Sequence, residues 1–170
     1  MSSPPISESW QETLGRRLPL FGHRNWIVVA DSAYPTQTSP GIEIIRSESR
    51  LTATAQKVLA AIAASPHVRP IVYLDSELAA VSPRHAPGIS PVRRSISRLT
   101  EGLPVRRLPH EEIIARLAAA GRDFKILIIK TPETLPYTSV FIELDCGYWS
   151  SAAEDGLRRT ISRKRARRIS

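Results

Sequence analysis

The sequence predicts an α/β protein, with a three-layer α/β/α domain built around a mixed sheet of about six strands. Short apolar runs of strand length, such as residues 126–129, alternate along the chain with segments whose apolar residues recur at helical spacing. The connection formed by residues 131–139 is too short for a crossover helix, so the strands on either side of it are expected to be antiparallel. A chain of 170 residues fits one domain, which we place at residues 1–150 with a basic tail at 151–170.

The N-terminal half predicts two helices and two strands before the centre of the chain. Ser9 is a suitable N-cap, and Glu12 completes a capping box with it. In a later segment, apolar residues at 55, 58, 59 and 62 follow the helical period, and Ser65-Pro66 closes that helix. The predicted elements are a helix from residue 10, a strand at 26–30, a loop at 35–41, a strand at 42–45 and a helix at 51–64.

The C-terminal half predicts the remaining strands and two further helices. Prolines at 83, 87 and 91 predict a loop without regular structure from 81 to 91. Gly121 is expected to end the helix that begins near His110. The predicted elements are strands at 70–74, 105–108, 125–130 and 140–144 and helices at 92–100 and 110–120.

The positive charge of the chain is concentrated at its C-terminal end. The net charge is +8, and residues 157–170 hold seven Arg and Lys residues and no acidic residue, while the rest holds 17 basic and 16 acidic residues. The body therefore offers no electrostatic footprint for a phosphate backbone. A nucleic-acid partner would depend on the tail alone, and a run of this kind is typical of a disordered or solvated terminus.

Other bulk features exclude several classes of protein. The longest apolar runs are far too short to cross a bilayer, so we predict no membrane contact. The N-terminus has neither a basic start nor an apolar stretch, so a cytoplasmic location is expected. Cys146 is the single cysteine and forms no internal disulfide, and no Cys/His spacing or Gly-rich phosphate loop indicates a metal or another cofactor.

Two polar residues flank the first predicted strand and make a candidate site. His23 precedes the strand, and an imidazole is suited to exchange protons near neutral pH. Asp31 follows the strand, where open α/β sheets keep their ligands, and it would orient a hydroxyl or the imidazole. The alternative is structural, with His23 as a solvated cap and Asp31 as a turn former.

Three segments in order resemble the ribose pyranase and fucose mutarotase family (RbsD/FucU). The first is Gly22-His23, an apolar strand and Ala30-Asp31 before Pro35; the others are Pro109-His110-Glu111-Glu112 and the run from Lys130 through Pro136-Tyr137 to Ser139. This chain has Pro132 where the family usually has Gly, and Ser139 where it usually has Asn. The resemblance covers roughly residues 8 to 145 and implies the same three-layer fold.

The resemblance also implies an activity and a site. It implies a mutarotase or pyranase that acts on a free monosaccharide without cofactor or metal, with His23 as the acid/base group. Sugar hydroxyls would be bound by Asp31, His110, Tyr137 and, in the Asn position, Ser139. Family members form ring-shaped homo-oligomers with sites at subunit contacts. A non-catalytic sugar-binding or regulatory protein on the same scaffold is the first alternative, and a nucleic-acid-binding module that uses the tail is the second.

Overall fold

A computed structural model describes residues 9–169, and within them it contains a six-stranded mixed sheet with helices on both faces. This confirms the predicted fold class. The helices are α1 (Trp10–Arg17), α2 (Leu51–Ala63), α3 (Ile89–Leu99), α4 (His110–Asp123) and α5 (Ser151–Ile169), and the strands are β1 (Trp26–Ala30), β2 (Ile42–Arg46), β3 (Val68–Asp75), β4 (Val105–Leu108), β5 (Ile126–Lys130) and β6 (Val140–Cys146).

The direction of the strands decides which residues meet at each edge of the sheet. The strand order is β2-β5-β1-β6-β3-β4, and β6 is antiparallel to both of its neighbours, β1 and β3. The other neighbouring pairs are parallel. We call the edge where β1 to β5 end and β6 begins the exit edge, and the opposite one the entry edge. The predicted antiparallel relation of β5 and β6 is confirmed, although β1 lies between them.

The alternation of side chains along β1 divides the core into two layers. Ile27 and Val29 face the cluster that contains the buried residues of α1, α2 and α3. Trp26 and Val28 face the second cluster, where Ile113 and other residues of α4 pack. All five residues of β1 are buried, as expected for a central strand covered on both faces.

Two predicted helix ends are wrong for physical reasons. Helix α3 begins at Ile89, so Pro91 lies in its first turn, where a missing N–H costs no helical hydrogen bond. Helix α4 continues through Gly121 to Asp123, so this glycine does not end it. A Cβ at Gly121 would lie 2.8 Å from Cγ1 of Ile42, which shows that close packing requires glycine here.

The basic segment at the C-terminal end is helical. Helix α5 has charged and polar residues on all sides, and Leu157 and Ile161 are exposed. Its ion pair between Arg158 and Glu154 is also on the surface. No helix within residues 9–169 combines the length and the apolar character that a membrane crossing would need.

Candidate functional site

Five polar or aromatic residues meet at the exit edge, and we call them the exit cluster. Asp31 directly follows β1, Asp75 is the last residue of β3, and His110 begins α4 just after β4. Tyr137 and Ser139 precede β6, which starts at this edge because it runs in the opposite direction. The topology thus brings together residues from four strand ends that are far apart in the sequence.

Ser139 holds the carboxylate of Asp31. The Ser139 hydroxyl donates to Oδ2 of Asp31 at 2.7 Å and accepts the backbone N–H of Asp31 at 3.0 Å. Oδ1 of Asp31 accepts the N–H of Ala33 at 3.0 Å. Ser139 is fully buried, and both of its hydrogen bonds go to Asp31. Ser139 therefore holds Asp31 in place, and its predicted contact with a sugar stays a prediction.

His110 is held by two carboxylates, one on its ring and one on its backbone. Nδ1 of its ring lies 3.0 Å from Oδ1 of Asp75, which is fully buried. The backbone N–H of His110 donates to both carboxylate oxygens of Glu77, at 3.1 and 3.2 Å. A carboxylate is favourable at the N-terminus of a helix, where backbone N–H groups lack helical partners. Glu77 thus fixes the start of α4, and Asp75 fixes the imidazole.

Asp75 is unusual among the buried polar groups of the structure. Within the described side chains, its Oδ2 is the buried oxygen that has no hydrogen-bond partner. Burial raises the pKa of Asp75 to about 6, partly opposed by the hydrogen bond and charge of His110, and the nearby carboxylates of Glu77 and Asp31 raise it further. Buried carboxylates whose pKa is raised in this way are common in functional sites.

Two tyrosines flank the imidazole of His110. The ring centroids of Tyr34 and Tyr137 lie 6.4 and 5.6 Å from that of His110, and both rings meet it edge to face. Burial, followed by the charges of Asp75 and Asp31, raises the pKa of Tyr34, whose hydroxyl donates to Oε1 of Gln37. Tyr34 is therefore uncharged, and its ring packs against the His110 side of the exit cluster.

Tyr137 and His110 form the accessible part of the exit cluster. The Tyr137 residue is 37% exposed and the His110 side chain 22%, while Asp75 and Ser139 are buried. Tyr137 has a φ of 58°, a conformation that costs a non-glycine residue energy and often marks functional positions. A ligand at this edge would therefore meet the tyrosine and the imidazole first.

The sequence interpretation missed Asp75 and Tyr34. Asp75 carried the same signal that identified Asp31, a carboxylate at the end of an apolar strand. Its contact with His110 depends on the pairing of β3 with β4, which the local pattern does not reveal. Among the described residues, no group of three or more His, Cys, Asp or Glu side chains is arranged to hold a metal ion.

His23 does not join the other predicted site residues within one chain. It lies at the entry edge and Asp31 at the exit edge, separated by β1, whose five residues span about 16 Å. His23 lines a cavity of about 770 Å³ together with Arg69, Asp145 and Trp149. Arg69 and Asp145 form an ion pair there at 2.6 Å.

Comparisons with known proteins give a family and a set of similar folds. The family model described as "RbsD / FucU transport protein family" matches residues 6–147, so the match ends before α5. A comparison with curated proteins finds no significant match.

Three solved structures are similar to this chain. Bacillus subtilis RbsD complexed with D-ribose is 22% identical, with a TM-score of 0.56 over 85% of this chain and 98% of that one. A fucose mutarotase in complex with L-fucose from Streptococcus pneumoniae is 18% identical, with a TM-score of 0.55 and the same coverage. FucU from Bifidobacterium longum is 15% identical, with a TM-score of 0.52 over 78% of this chain and 93% of that one. At these identities the likeness shows the shared fold.

Proposed function

Because the chain belongs to the RbsD / FucU transport protein family, we propose that it is a monosaccharide mutarotase or pyranase that interconverts anomers or ring forms of a free sugar by acid/base ring opening. Two of the similar structures are complexes with free sugars, D-ribose and L-fucose. The observation that carries the proposal is the exit cluster, in which an imidazole held by a carboxylate stands beside an accessible tyrosine.

The chemistry needs two proton transfers at neighbouring atoms of the sugar. A base removes the proton of the anomeric hydroxyl, the bond between the anomeric carbon and the ring oxygen breaks, and an acid protonates the ring oxygen. The reverse steps close the ring on either face of the carbonyl or with another hydroxyl. Positioned acids and bases typically accelerate such steps by about 10²–10⁴-fold.

Each predicted residue has a role in this reaction. The carboxylate of Asp31, fixed by Ser139, would accept hydrogen bonds from sugar hydroxyls, and Tyr137 and His110 would contact the sugar from the accessible side. His23 would serve as an acid/base group, as the family resemblance implies. These roles need no cofactor.

The position of His23 constrains how copies of the chain would assemble. His23 is at the entry edge and the exit cluster is at the other, so a shared site requires the entry edge of one copy to face the exit edge of the next. Such a head-to-tail contact produces a closed ring when the rotation from each copy to the next brings the last copy back to the first. The proposed ring-shaped homo-oligomer would thus complete each site.

Light scattering tests this assembly and should give a mass several times 18.9 kDa. A monomer at micromolar concentration would contradict the arrangement.

NMR exchange measurements on D-ribose test the activity. The wild-type chain should accelerate exchange between the sugar's ring forms, and His23→Ala should abolish the acceleration while leaving the fold intact. Gln56→Ala, an exposed change in the middle of α2, is the control and should keep wild-type exchange. A wild type that binds D-ribose or L-fucose without accelerating exchange would favour the non-catalytic sugar-binding alternative.

Complementation between two inactive variants tests the shared site. When His23→Ala and His110→Gln chains are co-expressed in equal amounts, about a quarter of the contacts in a head-to-tail ring combine an intact His23 with an intact His110. We therefore expect about a quarter of wild-type exchange activity from the mixture and none from either variant alone. An inactive mixture of correct oligomeric mass would show that the two histidines do not meet across a subunit contact.

A further inference from the structure

We propose that Asp75 is a positioning residue that makes His110 a proton-transfer group, so that His110 exchanges a proton with the sugar as well as contacting it. This inference rests on the proposed function and adds a second acid/base group to it. The family resemblance assigned His110 to sugar binding only, and it assigned nothing to Asp75.

The hydrogen bond to Asp75 selects one form of the His110 ring. A carboxylate only accepts, so Nδ1 must carry the proton that it donates to Oδ1 of Asp75. In the neutral imidazole, Nε2 is then unprotonated and able to accept a proton. The same division of roles occurs wherever a buried aspartate orients a histidine base.

The burial of Asp75 is costly for the fold, which favours a functional reason for the carboxylate at this position. Its residue is fully buried, and its Oδ2 has no hydrogen-bond partner. Burying a partly satisfied carboxylate is unfavourable, and an amide or apolar side chain would cost the fold less. The pKa of Asp75, raised by burial to about 6, agrees with a carboxylate kept in an unfavourable place. The titratable groups that face Asp75 and His110 are Asp31, Tyr34, Glu77 and Tyr137.

The proton balance of the ring opening then involves two groups. The proton of the anomeric hydroxyl moves to Nε2 of His110, and the electron pair of the breaking carbon–oxygen bond goes to the ring oxygen. That oxygen takes a proton from the opposite acid, which is His23 of a second copy under the proposed function. Asp75 keeps its hydrogen bond throughout and stabilises the imidazolium. Ring closure returns both protons, so no other reactant is consumed.

Asp75→Asn tests the inference because it should lower kcat and leave KM nearly unchanged. We expect kcat for D-ribose exchange to fall at least about tenfold while KM stays within about twofold, because proton transfer is weakened and the surface that meets the sugar is unchanged. The wild-type rate should rise as the pH passes about 6, where Asp75 ionises, and the variant should lack this rise. Asp123→Asn, an exposed aspartate at the other end of α4, is the control and should behave as wild type.

A second measurement needs no variant. The ¹⁵N chemical shifts of His110 in the wild-type chain should show the proton of the neutral ring on Nδ1. A proton on Nε2, or an Asp75→Asn variant with wild-type kcat and pH profile, would overturn the inference and leave the proposed function standing. A wild type without exchange activity would overturn both.

Discussion

The buried carboxylate of Asp75 has a cost that can be measured in the stability of the protein. Its pKa is raised from 3.8 to about 6, so the folded state holds the proton more tightly than the unfolded state. Stability from this group is therefore complete below about pH 4 and is lost as the pH rises through about 6. The difference between the two pKa values corresponds to about 3 kcal/mol of folding free energy between acidic and neutral pH.

Replacing Asp75 by Asn should stabilise the protein at neutral pH. Asn has no proton to lose, so we expect the free energy of unfolding at pH 7.5 to increase by about 2–3 kcal/mol, and the gain to disappear near pH 4. Urea denaturation at the two pH values measures it, with Asp123→Asn as the reference. Equal stability of variant and wild type across this range would mean that Asp75 bears no penalty from burial.

Ser139→Ala should destabilise the protein and weaken sugar binding together. The substitution leaves the N–H and Oδ2 of Asp31 without the partner that both now share, and an unsatisfied buried group costs about 1–3 kcal/mol. Denaturation and titration with D-ribose measure the two effects. Thr36→Ala, an exposed change in the loop that follows Asp31, should alter neither. Loss of affinity without loss of stability would instead favour direct contact between Ser139 and the sugar.

At the scale of elements, two helical glycines should respond in opposite directions to the same substitution. A Cβ at Gly121 in α4 would meet Ile42 and Ser39 at 2.8 and 2.9 Å, so Gly121→Ala should cost about 1–3 kcal/mol. At Gly15 in α1 the added Cβ would have no heavy atom within 4 Å beyond its chain neighbours and the backbone of its own helix, so Gly15→Ala should gain about 0.5–1 kcal/mol. Thermal denaturation compares them, and a stabilising Gly121→Ala would show that α4 can move away from β2.

The elements show how far local sequence patterns reach. The capping box of Ser9 and Glu12, the buried strand β1 and the helix α2 follow from short-range chemistry, and the structure confirms them. Pro91 and Gly121 misled the interpretation because both residues disfavour helices on average, while position in the first turn and packing against β2 decide these two cases.

The site was less predictable than the fold because it depends on strand pairing. Asp31 was found from its place after β1, but the contact of Asp75 with His110 arises only once β3 pairs with β4. The insertion of β6 between β1 and β3 brings Ser139 to Asp31, and no local pattern encodes that insertion. His23 lies at the entry edge, so within one chain it does not join the residues at the exit edge.

At the scale of the whole molecule, the end of α5 should be dispensable for folding. Residues 157–166 are exposed, and the Arg158–Glu154 pair at the surface contributes little. A chain that ends at residue 156 should keep its oligomeric mass and lose no more than about 2 °C of melting temperature. A drop of several degrees would show that Leu157 and Ile161 pack against a neighbour. Binding of nucleic acid by the full chain that disappears with the truncation would assign nucleic-acid binding to the tail.

One of the two central strands of the sheet, β6, is the last strand within the described residues, and this has a consequence for the order of folding. Strands β1 and β3 are joined only through β6. Until residues 140–146 dock, each of the two strands has a row of unpaired backbone N–H and C=O groups that other chains can pair with. Pairings between such distant segments form slowly. The segment that joins the two halves also carries Tyr137 and Ser139 into the exit cluster. A folding intermediate without β6 would therefore lack Tyr137 and Ser139 at the exit cluster. Under the proposed function, the capacity to bind sugar should return on refolding at the same rate as the burial of Phe141, since a single docking event produces both.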